Sequence, residues 1–125
     1  MNKINIWIFY FISALFVFLL LSTHFFSPYK EKNSYYDYSY IIRYLNDRVN
    51  ELPYGNNEYC MERYKDLKRT IDRTTKDIEL SYIDLENDYK DNIYTLEEYH
   101  TRKTDFDYYL EKLEETALLL EDKVK

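Results

Sequence analysis

The feature that most constrains this chain is an uncharged, apolar stretch near its N-terminus, Ile4–Phe26. An α-helix of about 22 residues rises roughly 33 Å, enough to cross the hydrocarbon core of a bilayer. Trp7 and Tyr10 lie near one end and His24 lies near the other, at depths where such rings favour the membrane interfaces. We therefore expect residues 1–28 to form a membrane-anchor helix whose partner is the lipid bilayer.

A cleaved signal peptide is the alternative interpretation of this stretch. Signal peptidase requires small residues at the cleavage site, whereas the apolar run leads into bulky Phe25 and Phe26. This favours an uncleaved, single-pass anchor. The orientation of the anchor stays open. Lys30 and Lys32 favour a soluble part inside the cytoplasm, whereas N-terminal anchors with a short leading segment usually place the following domain outside it. We expect it outside the cytoplasm.

Composition excludes several classes of protein. The single glycine, Gly55, excludes a glycine-rich phosphate loop, which needs several such residues. The net charge of −6 disfavours binding to nucleic acid. Cys60 is the only cysteine, so an intrachain disulfide and a thiolate zinc site are both excluded. We expect it to be a small buried residue.

The soluble part has the apolar spacing of three helices. The first runs from about Ser34 to Glu51, and with its Pro/Gly loop it forms the segment 29–57. The second runs from about Glu58 to Lys90. Thr95 and Glu98 form a predicted capping box at the start of the third. Residues 58–125 are predicted to form an antiparallel helical hairpin.

The hairpin prediction comes from a shared register of two apolar stripes. If the chain reverses near Ile93, then Tyr89 meets Tyr99 and Ile78 meets Leu110, and the same register continues outward. Helices joined by a short loop are usually antiparallel neighbours. The predicted fold is therefore all-α: a single N-terminal transmembrane helix followed by an antiparallel helical hairpin, which the first amphipathic helix completes to a three-helix bundle.

Some apolar and basic side chains lie off the predicted seam of the hairpin. We expect the first amphipathic helix to cover Leu80 and Ile83, which point away from the seam. Scattered surface leucine is the simpler explanation of such residues, and a contact surface for a partner is the alternative. Five bases of the second helix share one face. They either pair with acids of the neighbouring helix or bind acidic lipid headgroups or a carboxylate-rich partner. The candidate partner surface comprises Leu80, Ile83, Leu118, Leu119, Lys65, Lys68, Arg69, Arg73 and Lys76.

No residue pattern predicts catalysis or metal binding. Glu97 and His100 have the Glu-x-x-His spacing of di-iron bundles, but such sites need two motifs and further carboxylates. A surface Glu–His pair is the simpler interpretation. Cys60 and His100 would lie about 40 Å apart along the hairpin, too far to form a catalytic dyad. We expect no catalytic residue, cofactor or metal ligand.

These features favour a membrane-tethered helical interaction or scaffold module that binds a protein partner or a further copy of itself. A small membrane-active protein, of the lysis or toxin type, is the second hypothesis. An enzyme or a metal-binding helical protein is the third, and no residue pattern supports it.

Overall fold

The described chain is entirely helical. A computed structural model describes residues 3–25, 32 and 34–125, and no strand occurs among them. The all-α prediction is confirmed. By its internal contacts the chain divides into two units, Met1–Glu31 and Lys32–Lys125. The helices are α1 (Lys3–Phe25), α2 (Ser39–Glu51), α3 (Glu58–Lys90) and α4 (Leu96–Lys123).

The first unit contains the apolar helix α1. It is long and apolar enough to cross a membrane, judged by length and composition alone, and a signal sequence passes the same test. Residues 3–20 are all exposed, and none of them is buried within the structure. The predicted anchor extends to residue 28, and its last residues lie outside the described part of the chain.

Helix α2 begins later than the sequence predicts, at Ser39 instead of Ser34. The segment before Ser39 is held by a tertiary hydrogen bond and is not helical. The Tyr35 hydroxyl donates this bond to Asp88 of α3 at 2.7 Å. The Asp37 carboxylate accepts the backbone N–H of Ser39 at 2.9 Å, and this N–H belongs to the first turn, where the helix itself offers no acceptor. Tertiary contacts therefore replace the first predicted turn. The end at Glu51 is as predicted.

Both ends of the α2–α3 loop are fixed by hydrogen bonds. The side chain of Asn57 caps α3 by accepting the Cys60 N–H at 2.9 Å. Gly55, whose φ of 147° few other residues adopt, donates its N–H to the carbonyl of Lys123 at 2.8 Å. The Lys123 ammonium donates to the carbonyl of Asn50 at 3.2 Å. The last turn of α4 therefore bonds both to the end of α2 and to the loop that follows it.

The turn between α3 and α4 confirms the predicted capping box. Thr95 accepts the backbone N–H of Glu98 at 3.2 Å, and the Glu98 carboxylate accepts the N–H of Thr95 at 3.3 Å. Asn92 has a positive φ of 59°, a conformation that asparagine adopts more readily than most residues. Local chemistry in the sequence therefore fixes where α3 ends and α4 begins.

Helices α2, α3 and α4 contact one another and share one apolar core. Of the pairs named in the sequence register, Tyr89 stacks on Tyr99 with ring centroids 4.3 Å apart. Between the same two helices, the Tyr82 ring centroid lies 5.9 Å from that of Phe106. Cys60 is buried, as predicted. The fully buried apolar residues at the centre are Leu45, Val49, Ile78, Leu85, Phe106, Leu113 and Leu120.

Four hydrogen bonds between tyrosine and carboxylate link different segments of the second unit. Each phenol can lay its ring on the core while its hydroxyl reaches a charged acceptor. The Tyr64 hydroxyl donates to Glu121 at 2.5 Å. The other donor and acceptor pairs are Tyr35 with Asp88, Tyr99 with Glu86, and Tyr109 with Asp37. Since hydrogen bonds to charged groups are stronger than neutral ones, these bonds reinforce the packing.

These bonds change the titration of the phenols. The hydrogen bond to the Glu86 carboxylate, followed by burial, raises the pKa of Tyr99 to about 12, because both favour the protonated phenol. Burial, followed by the hydrogen bond to Asp37, raises the pKa of Tyr109 to about 12. The hydrogen bond from Ser39 is the largest cause that lowers the pKa of the Asp37 carboxyl. The folded state therefore favours protonated phenols opposite ionised acids.

We predict that truncating a buried leucine of α4 to alanine destabilises the fold more than truncating an exposed one. Leu113 is 1% exposed and Leu118 is 66% exposed, on the same helix. Leu113→Ala should lower the free energy of unfolding by about 2–4 kcal/mol, since it leaves a cavity. Leu118→Ala should lower it by less than about 1 kcal/mol. Urea denaturation of the full chain in non-ionic detergent, followed by circular dichroism, measures both. Equal losses would contradict the placement of the core.

We also predict that stability falls at alkaline pH. A phenol whose pKa is raised in the folded state contributes its full stability below the unfolded pKa of about 10, and loses it as pH rises towards 12. Tyr99→Phe should remove part of the fall in melting temperature between these pH values. Tyr40→Phe, at a residue 74% exposed, is the control and should leave the profile unchanged. Identical profiles for Tyr99→Phe and the unmodified chain would refute this role of Tyr99.

Candidate interaction surface

Helix α3 presents two opposite faces along its 33 residues. Ile71, Ile78 and Leu85 recur at seven-residue spacing and are all buried in the core. At about 100° per residue, the side chains of Lys65 and Leu80 lie on the other side of the helix. Both are exposed. The face opposite the core is therefore open to a partner, and we call it the α3 outer face.

Four bases form a basic stripe along the N-terminal half of this face: Lys65, Arg69, Arg73 and Lys76. Within the described part of the chain, none of the four has a carboxylate within 4.0 Å. Lys68 differs, since its ammonium lies 3.8 Å from Asp72 and 3.9 Å from Glu121 of α4. Of the five predicted bases, only Lys68 therefore pairs with the neighbouring helix.

Two exposed aliphatic side chains continue the basic stripe towards the C-terminal end of α3. Leu80 is 52% exposed and Ile83 is 56% exposed. The prediction that α2 covers them is wrong. Helix α2 contacts both α3 and α4, and Asn46 accepts a 3.5 Å bond from Thr116 of α4, but this position leaves Leu80 and Ile83 exposed. The two residues therefore belong to the same open face as the bases.

The two leucines predicted on α4 lie in different surroundings. Leu118 is exposed, whereas Leu119 is partly buried and packs against the core. Thr116 and Lys123 hydrogen-bond to α2, so the side of α4 near Leu119 faces the interior of the packing. Of the two, only Leu118 is exposed.

A shallow groove between α2 and α3 was not signalled by the sequence. It has a volume of about 530 Å³, and Leu45 and Leu67 are among its apolar lining residues. The guanidinium of Arg48 lies over the ring of Tyr44, 5.2 Å from its centroid. Because residues from two helices form this groove, no spacing within one helix could predict it. Its two bases, Arg48 and Arg63, are balanced by Glu51 and Asp66.

The residues considered for metal binding and for catalysis lie in different surroundings. Glu97 and His100 are both exposed on α4, whereas the Cys60 thiol is buried and lies 3.7 Å from the carbonyl of Pro53. Across residues 3–25, 32 and 34–125, no group of three or more His, Cys, Asp or Glu side chains is placed to hold a metal ion.

Comparison with known proteins gives no family assignment. No protein-family model, curated protein or solved structure matches this chain.

Proposed function

We propose that the chain is a membrane-tethered helical interaction module, in which α1 spans the bilayer and α2, α3 and α4 form the partner-binding part. The observation that carries the proposal is the α3 outer face, where the basic stripe and the exposed Leu80 and Ile83 lie in line. Exposed apolar side chains beside unpaired charges are typical of protein-binding surfaces. The fully exposed apolar surface of α1 fits lipid as its surroundings.

We further propose that α3 and α4 form an antiparallel helical hairpin, which α2 completes to a three-helix bundle. Contacts at both ends of the helices support this arrangement. Tyr89, near the end of α3, stacks on Tyr99, near the start of α4. Tyr64, near the start of α3, donates to Glu121, near the end of α4. Such an arrangement makes the outer face of α3 a rigid platform.

Crosslinking tests the hairpin directly. Cysteines at Ile78 and Leu110, in a Cys60→Ala background, should form a disulfide within one chain under mild oxidation, because the register brings them together. The matched control places cysteines at Ile78 and at Leu118, an exposed residue of α4 about two turns beyond Leu110, and should not crosslink. Gel mobility with and without reductant measures the result. Crosslinks between chains, without any within one, would indicate an extended helix that dimerises.

The function itself is tested on the full chain in native membranes. The chain should resist alkaline carbonate extraction with its N-terminal segment intact by mass spectrometry, because an uncleaved span stays in the bilayer. A photo-reactive residue in place of Leu80 should give a defined crosslinked product. The same residue in place of exposed Asp47, on α2, should give none. Extraction by carbonate, or loss of the first residues, would contradict the anchor; absence of any product at position 80 would contradict the interaction module.

A further inference from the structure

We propose that the α3 outer face binds the acidic outer face of α4 of a second copy of this chain. The inference rests on the proposed function, because it names the partner of the same surface. The α4 outer face comprises Glu111, Glu114, Leu118 and Asp122, which are all exposed. In the described part of the chain, none of its three acids lies within 4.0 Å of a base.

Charge and length are complementary between the two faces. The basic stripe extends from Lys65 to Lys76, and the acids extend from Glu111 to Asp122. At about 1.5 Å per residue, each set covers roughly 16 Å of helix. Bases repeated at three- and four-residue spacing repel one another along α3, and opposite charges on a facing helix relieve that repulsion.

One antiparallel register brings the charges together. With Lys65 opposite Asp122, Lys76 falls opposite Glu111. In the same register Arg73 falls opposite Glu114. Arg69 falls opposite Leu118 and can lay its aliphatic stem on that side chain. Leu80 then falls opposite Asp107, beside the exposed ring of Tyr108. The register therefore also covers part of the apolar surface of the α3 outer face.

The geometry favours a head-to-tail association. Two α3 outer faces packed on each other would bring bases against bases, which is unfavourable. The α3 and α4 outer faces point away from the contact between the two helices, so one copy can bind a second copy on each side. Contacts between two different surfaces produce rings or open rows of copies. We therefore expect association that grows with concentration.

The contact should be weak and sensitive to salt. Exposed ion pairs contribute little individually, and at 0.1 M ionic strength they are screened beyond a distance of about 10 Å. We expect self-association of the full chain in non-ionic detergent to weaken by roughly fivefold or more between about 50 mM and 300 mM NaCl. Sedimentation velocity measures this change. A chain that stays monomeric at low salt would overturn the proposal.

Charge reversal identifies the two faces. Arg69→Glu with Arg73→Glu makes the α3 outer face acidic, and Glu111→Lys with Glu114→Lys makes the α4 outer face basic. Either pair alone should reduce self-association by roughly fivefold or more, since like charges then meet. Mixing the two variants should restore it, and so should combining all four changes in one chain. Arg43→Glu with Asp47→Lys on α2 is the matched control and should leave association unchanged.

Each alternative result has a defined meaning. Loss of association on reversing α3 but not α4 overturns the proposal, because the partner surface is then not α4. Binding of the chain to anionic phosphatidylserine vesicles, without self-association, overturns it in favour of a lipid headgroup. A photo-crosslink from position 80 to a different protein overturns it as well, yet leaves the interaction module standing. Unchanged circular dichroism and melting temperature of each variant confirm that reversal has not unfolded the helices.

Discussion

Burial of the apolar stripe of α3 against α4 is the interaction on which the rest of the second unit depends. Ile78 and Leu85 of α3 and Phe106 and Leu113 of α4 are almost completely removed from solvent. Full burial of such a side chain contributes about 1.5–3 kcal/mol, more than an exposed ion pair or a single cap. Because this contact fixes the rotation of both helices about their axes, it also determines which side chains of each helix point outward.

Tyrosine explains how this acidic chain bonds carboxylates across the packing without using the bases of the basic stripe. Phenols from one segment donate to carboxylates of another, as Tyr35 does to buried Asp88 and Tyr64 does to Glu121. A ring with a terminal hydroxyl supplies apolar area and a charge-assisted hydrogen bond together. The four bonds described above use carboxylates and not the bases of the basic stripe, which remain exposed at the surface. The chemistry that holds the core therefore also leaves the outer face unpaired.

The sequence predicts local features well where the chemistry is local. The bounds of α3 and the capping box of Thr95 follow from side chains within a few residues of one another, and the structure reproduces both. The predicted start of α2 is one turn or more too early, because Tyr35 bonds to α3, a partner distant in sequence. Lys123 shows the same limit: it resembles a surface lysine, but it is buried beside Asn50.

The candidate surface likewise has features that the local sequence determines and features that depend on tertiary contacts. Helical spacing alone determined that the basic stripe, Leu80 and Ile83 point away from the apolar stripe of α3, because rotation per residue is a property of the isolated helix. Only the tertiary structure decided that α2 leaves Leu80 uncovered while Leu119 is partly buried, because the position of a third helix depends on contacts such as Thr116 with Asn46. The sequence by itself thus determined the helices and their faces. Tertiary packing decided which of those faces remain exposed, because burial depends on the neighbours of a helix and not on its own period.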